Sequence, residues 1–195
     1  DKEAVPAYRA AIAERTGVKA EAVFISVSHT DTGPVVGKSQ LDKNKYGEKE
    51  YGDYLVRKLC DCAVMAVRDM TDAKMGYAVG CAPHIAFVRR FRMKDGSIRT
   101  NPGVNNPDIV APIGDVDERV NVLRFVRKFA PDIVIANLGV HPDVVGGDEI
   151  LADFPRFVRE TTAAELDTVR CMFFHGEQGG VNKGNVHPGG RGTNG

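Results

Sequence analysis

What this sequence lacks narrows it first. It has no excess of charge of either sign, because 26 lysines and arginines stand against 26 aspartates and glutamates. No long block of like charge breaks the mixture, so neither nucleic acid nor an anionic lipid surface finds an electrostatic footprint. Long hydrophobic runs are also missing. The longest, such as Ile133-Val134-Ile135-Ala136, fall far short of the roughly 20 apolar residues that a membrane-spanning helix needs, so no transmembrane segment is expected. The opening Asp1-Lys2-Glu3 leads into no apolar h-region, and no signal peptide is expected within these residues; the compartment stays open. Cysteine is scarce. Cys60, Cys62, Cys81 and Cys171 form no C-x-x-C pair, and the expectation is buried free thiols. No internal repeat is visible.

What is present fits ordinary globular usage. A chain of 195 residues, 43% hydrophobic and 27% charged, can bury one core and is expected to form a single α/β domain, residues 1–195. Glycine is the outlier, at 21 residues where about 14 would be average. Much of it falls in loops and in the C-terminal residues 184–195.

Read in order, residues 6–16 carry Tyr8, Ala11, Ile12 and Arg15 at helical spacing and stop at Gly17. Residues 23–28 (V-F-I-S-V-S) read as a strand delivering His29. Residues 48–69 place Tyr51, Leu55, Leu59, Cys62 and Ala66 on one stripe of a long helix. Strand patterns follow at 75–79 and 85–93, and Asp95-Gly96 signals a hairpin turn before 97–100. The proline- and asparagine-rich stretch 101–117 reads as an irregular loop. Residues 120–126 and 133–138 read as adjacent strands, 154–166 as a helix and 168–174 as another strand. The sum is an α/β class with mixed β-sheets flanked by helices, a β-hairpin and long ordered loops.

Three of the expected strands end in polar loops bearing His29, His141 and the pair His175 and Asn182. Ligands gather at strand carboxyl ends in open α/β sheets, so these loops are candidates to converge. A histidine held at a strand end suits metal binding, with zinc the default metal. His29 and His141 nevertheless carry no spacing signature of the H-E-x-x-H kind, and a hydrogen-bonded structural histidine is the competing reading. For His175 a loop-supporting role is expected, while His84 and His187 lie beside prolines with no strand behind them.

The segments V-F-I-S-V-S-H-T-D-T-G-P (23–34), V-R-R-F-R-M-K-D-G-S-I-R-T-N-P-G (88–103), A-N-L-G-V-H-P (136–142), A-D-F-P (152–155) and H-G-E-Q-G-G-V-N (175–182) resemble, in order and spacing, the N-terminal catalytic domain of neutral/alkaline non-lysosomal ceramidases. The resemblance is closest to the uncharacterised bacterial branch of that family. It implies part of a zinc amidase domain that cleaves the N-acyl bond of ceramide, many members being exported. It makes His29 and His141 zinc ligands and places Arg89 near the substrate. Three positions depart from the family pattern. Asp31 replaces the second histidine of the first loop, Val88 replaces an asparagine, and Asn182 stands where the catalytic serine would be. The family's remaining ligands, a glutamate and a tyrosine, lie further along the chain than these residues.

Two functions follow. In the first, Zn2+ on His29 and His141 activates water against an amide or ester of a small-molecule or lipid substrate, with Asp31 as general base and Asn182 as a donor to the oxyanion. In the second, the chain is a non-catalytic ceramidase-like module that serves recognition or structure. The substrate and the oligomeric state cannot be read from composition or motif.

Overall fold

The structure is a computed structural model that describes residues 4–34, 48–166 and 169–186. The chain divides into two compact units, one of residues 1–26 and 34–72, the other of residues 27–33 and 73–195.

The first unit is helical. Helix α1 (Val5–Thr16) starts with a proline in its first turn, where a missing N–H costs nothing, and ends at Gly17, whose φ of 74° lets its N–H reach back to the Ala13 carbonyl at 2.8 Å. Helix α2 (Glu48–Arg68) packs against α1, with an ion pair between Arg15 and Asp61 at 3.4 Å. Cys60 on α2 is buried, while Cys62 and Ala66 are exposed. Of the expected stripe, Tyr51, Leu55 and Leu59 are half-buried, and Cys62 and Ala66 fall outside it. The cysteines are all free, as expected, but only Cys60 is buried.

The second unit holds the sheets. Strands β1 (Ala73–Cys81), β6 (Arg119–Arg127), β7 (Asp132–Leu138) and β8 (Val169–His175) form one sheet in the order β1-β6-β7-β8. The first two pairings are antiparallel and β7 with β8 is parallel, so the sheet is mixed as expected. Asp132 anchors the β6–β7 turn. It accepts from the Arg124 guanidinium at 2.7 and 2.9 Å and from the Arg127 N–H at 3.1 Å, and Arg124 holds its carboxyl below the usual range. A parallel pair needs a crossover, and helix α3 (Phe154–Glu165) supplies it, packing on β8.

A second, three-stranded sheet joins β3 (Arg90–Met93) to β4 (Ile98–Thr100) and to β5 (Ile109–Pro112). The hairpin expected at Asp95-Gly96 is present. Gly96 takes φ 80°, and the Asp95 carboxylate accepts from the Ser97 N–H and hydroxyl at 2.9 and 2.6 Å. A two-stranded ribbon pairs β2 (Phe87–Val88) with β9 (Val181–Asn182). Ala86, Leu138, Val140 and Val181 form one buried cluster, and Phe91, Met93, Ile109 and Val186 another.

Three expectations are corrected. Residues 23–28 are not a strand. Phe24 and Val27 leave 72% and 69% of their surface exposed, and β-branched composition makes a strand only where a neighbouring pleated surface receives it. The run 85–93 is split between two sheets, β2 going to β9 and β3 to β4 and β5. Within 101–117 lies strand β5, which pairs with β3 across a register shift at Arg92/Met93. Helix α3 and strand β8 fall where expected, although residue 168, His187 and the rest of 187–195 lie outside the described residues, as does 35–47.

Candidate functional site

The site grows from the carboxyl ends of β7 and β8. In the parallel register Leu138 lies opposite His175, and the Gly176 N–H donates to the Leu138 carbonyl at 2.9 Å, carrying the pairing one residue past the strand. Two glycines permit this. A Cβ at Gly139 would stand 2.3 Å from the Glu177 carbonyl oxygen, and one at Gly176 would stand 2.9 Å from Gly139 N and from Leu138 C. Only bare backbone fits, so the two loops lie against each other, with His141 leaving one and His175 ending the strand that feeds the other.

His29 arrives from a turn rather than a strand end. Its φ is 62°, a left-handed conformation that non-glycine residues adopt at a cost of order 1 kcal/mol or more. The turn is held from behind. The hydroxyls of Thr30 and Thr32 both donate to the Leu151 carbonyl, at 3.1 and 3.2 Å, and Thr32 is buried. Just beyond Leu151, the buried carboxylate of Asp153 accepts from Phe154 N–H at 2.6 Å, capping α3, and from Val145 N–H at 2.8 Å. Asp153 itself sits at φ 53°, a second strained position in the same wall. Threonine hydroxyls thus tie the turn around residue 29 to the segment that leads into α3, and the Asp153 carboxylate ties that segment to the loop beyond His141.

The structure brings three imidazoles together. The ring centres of His29 and His141 are 5.2 Å apart and those of His29 and His175 are 6.4 Å apart, while His175 also contacts the Phe173 ring. His141 is buried and His29 is exposed, so the group opens to solvent on the His29 side. His141 Nε2 and both nitrogens of His175 are buried with no hydrogen-bond partner. Burial pushes the His175 pKa below its ordinary value, and the neighbouring His141 and His29 add to this. Backbone groups of Gly176 and Ser28 oppose it weakly, without completing a hydrogen bond to either ring nitrogen.

These atoms suit a zinc ion in part. Zinc–nitrogen bonds of about 2.0 to 2.1 Å put a ring centre about 3.2 Å from the metal, so two tetrahedral imidazoles have centres about 5.2 Å apart. The His29–His141 separation is of that size, and an orphaned, buried Nε2 is a donor awaiting a Lewis acid. As the rings now sit, no group of three or more histidine, cysteine, aspartate or glutamate side chains among the described residues is placed to hold a metal ion. His175, which sequence reasoning assigned to loop support, stands in the same group of rings. The signal available was its position at the end of the strand next to the one that delivers His141.

The other candidates lie on a different wall. Arg89 donates from Nε and Nη2 to the Gly179 carbonyl at 3.1 and 2.8 Å, and its backbone N–H donates to Gly180. That fork holds the glycine turn preceding β9. Asn182 donates from Nδ2 to Asn101 Oδ1 at 3.3 Å, and its Oδ1 accepts from the Lys183 N–H at 3.1 Å. Lys183 in turn reaches the Asp143 backbone carbonyl and pairs with its carboxylate at 3.5 Å, tying this wall to the loop that carries His141. Asp31 is exposed, two residues from His29 in the same turn. His84 sits apart, at the edge of a crevice of about 270 Å³ that Phe87, Phe91 and Val116 also line.

No protein-family model matches the chain, and no curated protein matches it in sequence. Among solved structures, the chain is similar to the neutral ceramidase of Pseudomonas aeruginosa, with a TM-score of 0.63 and 16% identity over 97% of this chain and 31% of that one. It is also similar to a ceramidase complexed with C2, with a TM-score of 0.66 and 15% identity over 97% of this chain and 30% of that one. The chain thus spans about a third of the length of these neighbours and shares with that part of neutral ceramidases their fold.

Proposed function

We propose that the chain forms part of a zinc-dependent hydrolase site that cleaves an amide bond, as a portion of a ceramidase-like catalytic domain. The observation that carries the reading is the approach of His29 and His141 to 5.2 Å with a buried, unpartnered Nε2 on His141. When bound there, zinc supplies a Lewis acid that lowers the pKa of water and polarises a carbonyl. Every other step belongs to the chain's own residues. His141 is the buried anchor and His29 the ligand at the solvent edge. Asp31, a carboxylate in the His29 turn, takes the proton of the attacking water.

Asn182 keeps its carbonyl oxygen turned to the Lys183 N–H, which leaves its amide nitrogen as the donor group. One of the two hydrogens goes to Asn101, and the second is available to an oxyanion. Arg89 positions that wall by clamping the Gly179 carbonyl. An asparagine at this place cannot act as a nucleophile, so the reading is attack by water rather than by a side chain. The substrate class is a small-molecule or lipid amide, by analogy with the ceramidase neighbours.

The test is hydrolysis of short-chain N-acyl sphingosine and of simple amides and esters by the purified protein with zinc supplied. Turnover should fall when His141→Ala is made. A second reading, a non-catalytic ceramidase-like module, draws on the Asn182 amide being engaged on both sides within the protein. It predicts no turnover on any of these substrates with or without zinc.

A further inference from the structure

We propose that the crevice beside His84 is a binding site for a small molecule that joins a primary ammonium group to a compact apolar body. His29, His141, Arg89 and Asn182 are not among its lining residues, and it does not depend on the metal reading.

Size and lining set the body of the ligand. The crevice holds about 270 Å³, and its walls are mainly apolar, with Phe87 and Val88 of β2, the fully buried Phe91, and Val116. Ligand clefts usually run from about 300 to 1,000 Å³, so this volume suits a compact molecule and is too small for a long lipid chain.

One charge sets the head group. Glu118 lines the crevice half-buried, and among the described residues no cationic side chain pairs with its carboxylate. The adjacent Arg119 is engaged by Asp117, to which it donates at 2.8 and 2.7 Å. A carboxylate partly withdrawn from water beside apolar walls attracts a cation more strongly than one in bulk solvent. It is also held in place before any ligand arrives. The His84 N–H donates to its Oε1 at 3.1 Å, and the Ala82 N–H donates to the Glu118 backbone carbonyl at 2.8 Å. His84 sits at φ 65°, a left-handed conformation that a non-glycine residue keeps only where its surroundings fix it. Oε2 accepts no hydrogen bond among the described residues, and it is the atom that receives the ammonium. An anionic ligand meets repulsion from the same carboxylate, and a neutral one leaves it without a counter-charge.

The probes are benzylamine, benzyl alcohol and benzoate, which share one ring and differ in charge. Each is titrated into the isotope-labelled wild-type chain and into its Glu118→Gln and Phe87→Ala variants, with backbone amide shifts locating the site and thermal midpoints reporting the fold. Benzylamine should shift the amides of Ala86, Phe87, Val88 and Val116 and bind about 10-fold more tightly than benzyl alcohol, because a charge-assisted hydrogen bond is roughly twice as strong as a neutral one. Benzoate should not bind. Glu118→Gln keeps an acceptor for the His84 N–H, and it should lower benzylamine affinity about 10-fold while leaving that of benzyl alcohol unchanged. Phe87→Ala should weaken both. Equal affinity for amine and alcohol, or benzylamine binding undiminished in Glu118→Gln, overturns the ammonium assignment. Benzylamine that shifts none of these amides at millimolar concentration, or Phe87→Ala without effect on either probe, overturns the site. Should Glu118→Gln fail to fold, the ranking of the three probes on the wild type decides.

Discussion

Replacing Gly139 with alanine tests the close approach on which the site is built. The added Cβ would stand 2.3 Å from the Glu177 carbonyl oxygen, with the carbonyl carbon at 3.3 Å and the amide nitrogen at 3.5 Å. A carbon and a carbonyl oxygen ordinarily meet at about 3.3 Å or more, so the loops after β7 and β8 must part by about 1 Å. What stands in the way is backbone, which cannot swing aside as a flexible side chain would. Overpacking of this kind costs about 1 to 3 kcal/mol. For a chain of this size each kcal/mol lowers the thermal midpoint by about 2 to 4 °C, so calorimetry should find a fall of about 2 to 12 °C. The displacement falls between His141 and His175, so zinc affinity should drop in the same variant. Gly76→Ala is the control, because its Cβ meets nothing within 4 Å, and it should stay within about 1 kcal/mol of wild type. A Gly139→Ala protein with unchanged midpoint and unchanged zinc affinity would refute the packing argument.

Asp153→Ala removes the cap of α3 and the acceptor for the Val145 N–H, and chemical denaturation should show a loss of about 2 to 3 kcal/mol, summing a cap and a buried unsatisfied donor. Without zinc, the His175 ring has a depressed pKa in the folded state, so the unfolded chain binds more protons below its ordinary value of 6.5. Stability of the metal-free protein should therefore be complete above that pH and fall as pH drops through it toward the lowered folded value; His175→Gln should flatten this slope, and an unchanged slope would refute it. Asp31→Asn should reduce turnover by about 10² to 10⁴ with zinc content intact, and equal activity would remove Asp31 from the role of base. Arg89→Lys loses the fork on the Gly179 carbonyl, and a rise in KM or fall in kcat with an unaltered thermal midpoint is the expected result.

Much of the second unit was legible because its signals are local. Apolar runs marked β6, β7 and β8, and glycine at φ 80° explains why Asp95-Gly96 reads correctly as a turn. Residues 23–28 failed for the opposite reason. Their β-rich composition is the same as that of a strand, and what decides is a neighbouring surface that the sequence does not display. The same logic hid β5 behind prolines and asparagines, since the strand it pairs with, β3, comes earlier in the chain. Histidines 29 and 141 were named from motif resemblance, but their meeting depends on the glycine contact at 139 and 176 and on two threonines reaching Leu151. The place of His175 near His29 was not legible, because the parallel register with β7 that sets its strand end is a long-range pairing.

The central claim is a metal centre built on His29 and His141, and metal content tests it most directly. The protein should be purified without added chelator, equilibrated with zinc, desalted and assayed by elemental analysis beside its His141→Ala variant. The account predicts one zinc per chain in the wild type and none in the variant at equal folded content. Wild-type protein that emerges free of zinc, or a His141→Ala variant that retains it in full, would contradict the account.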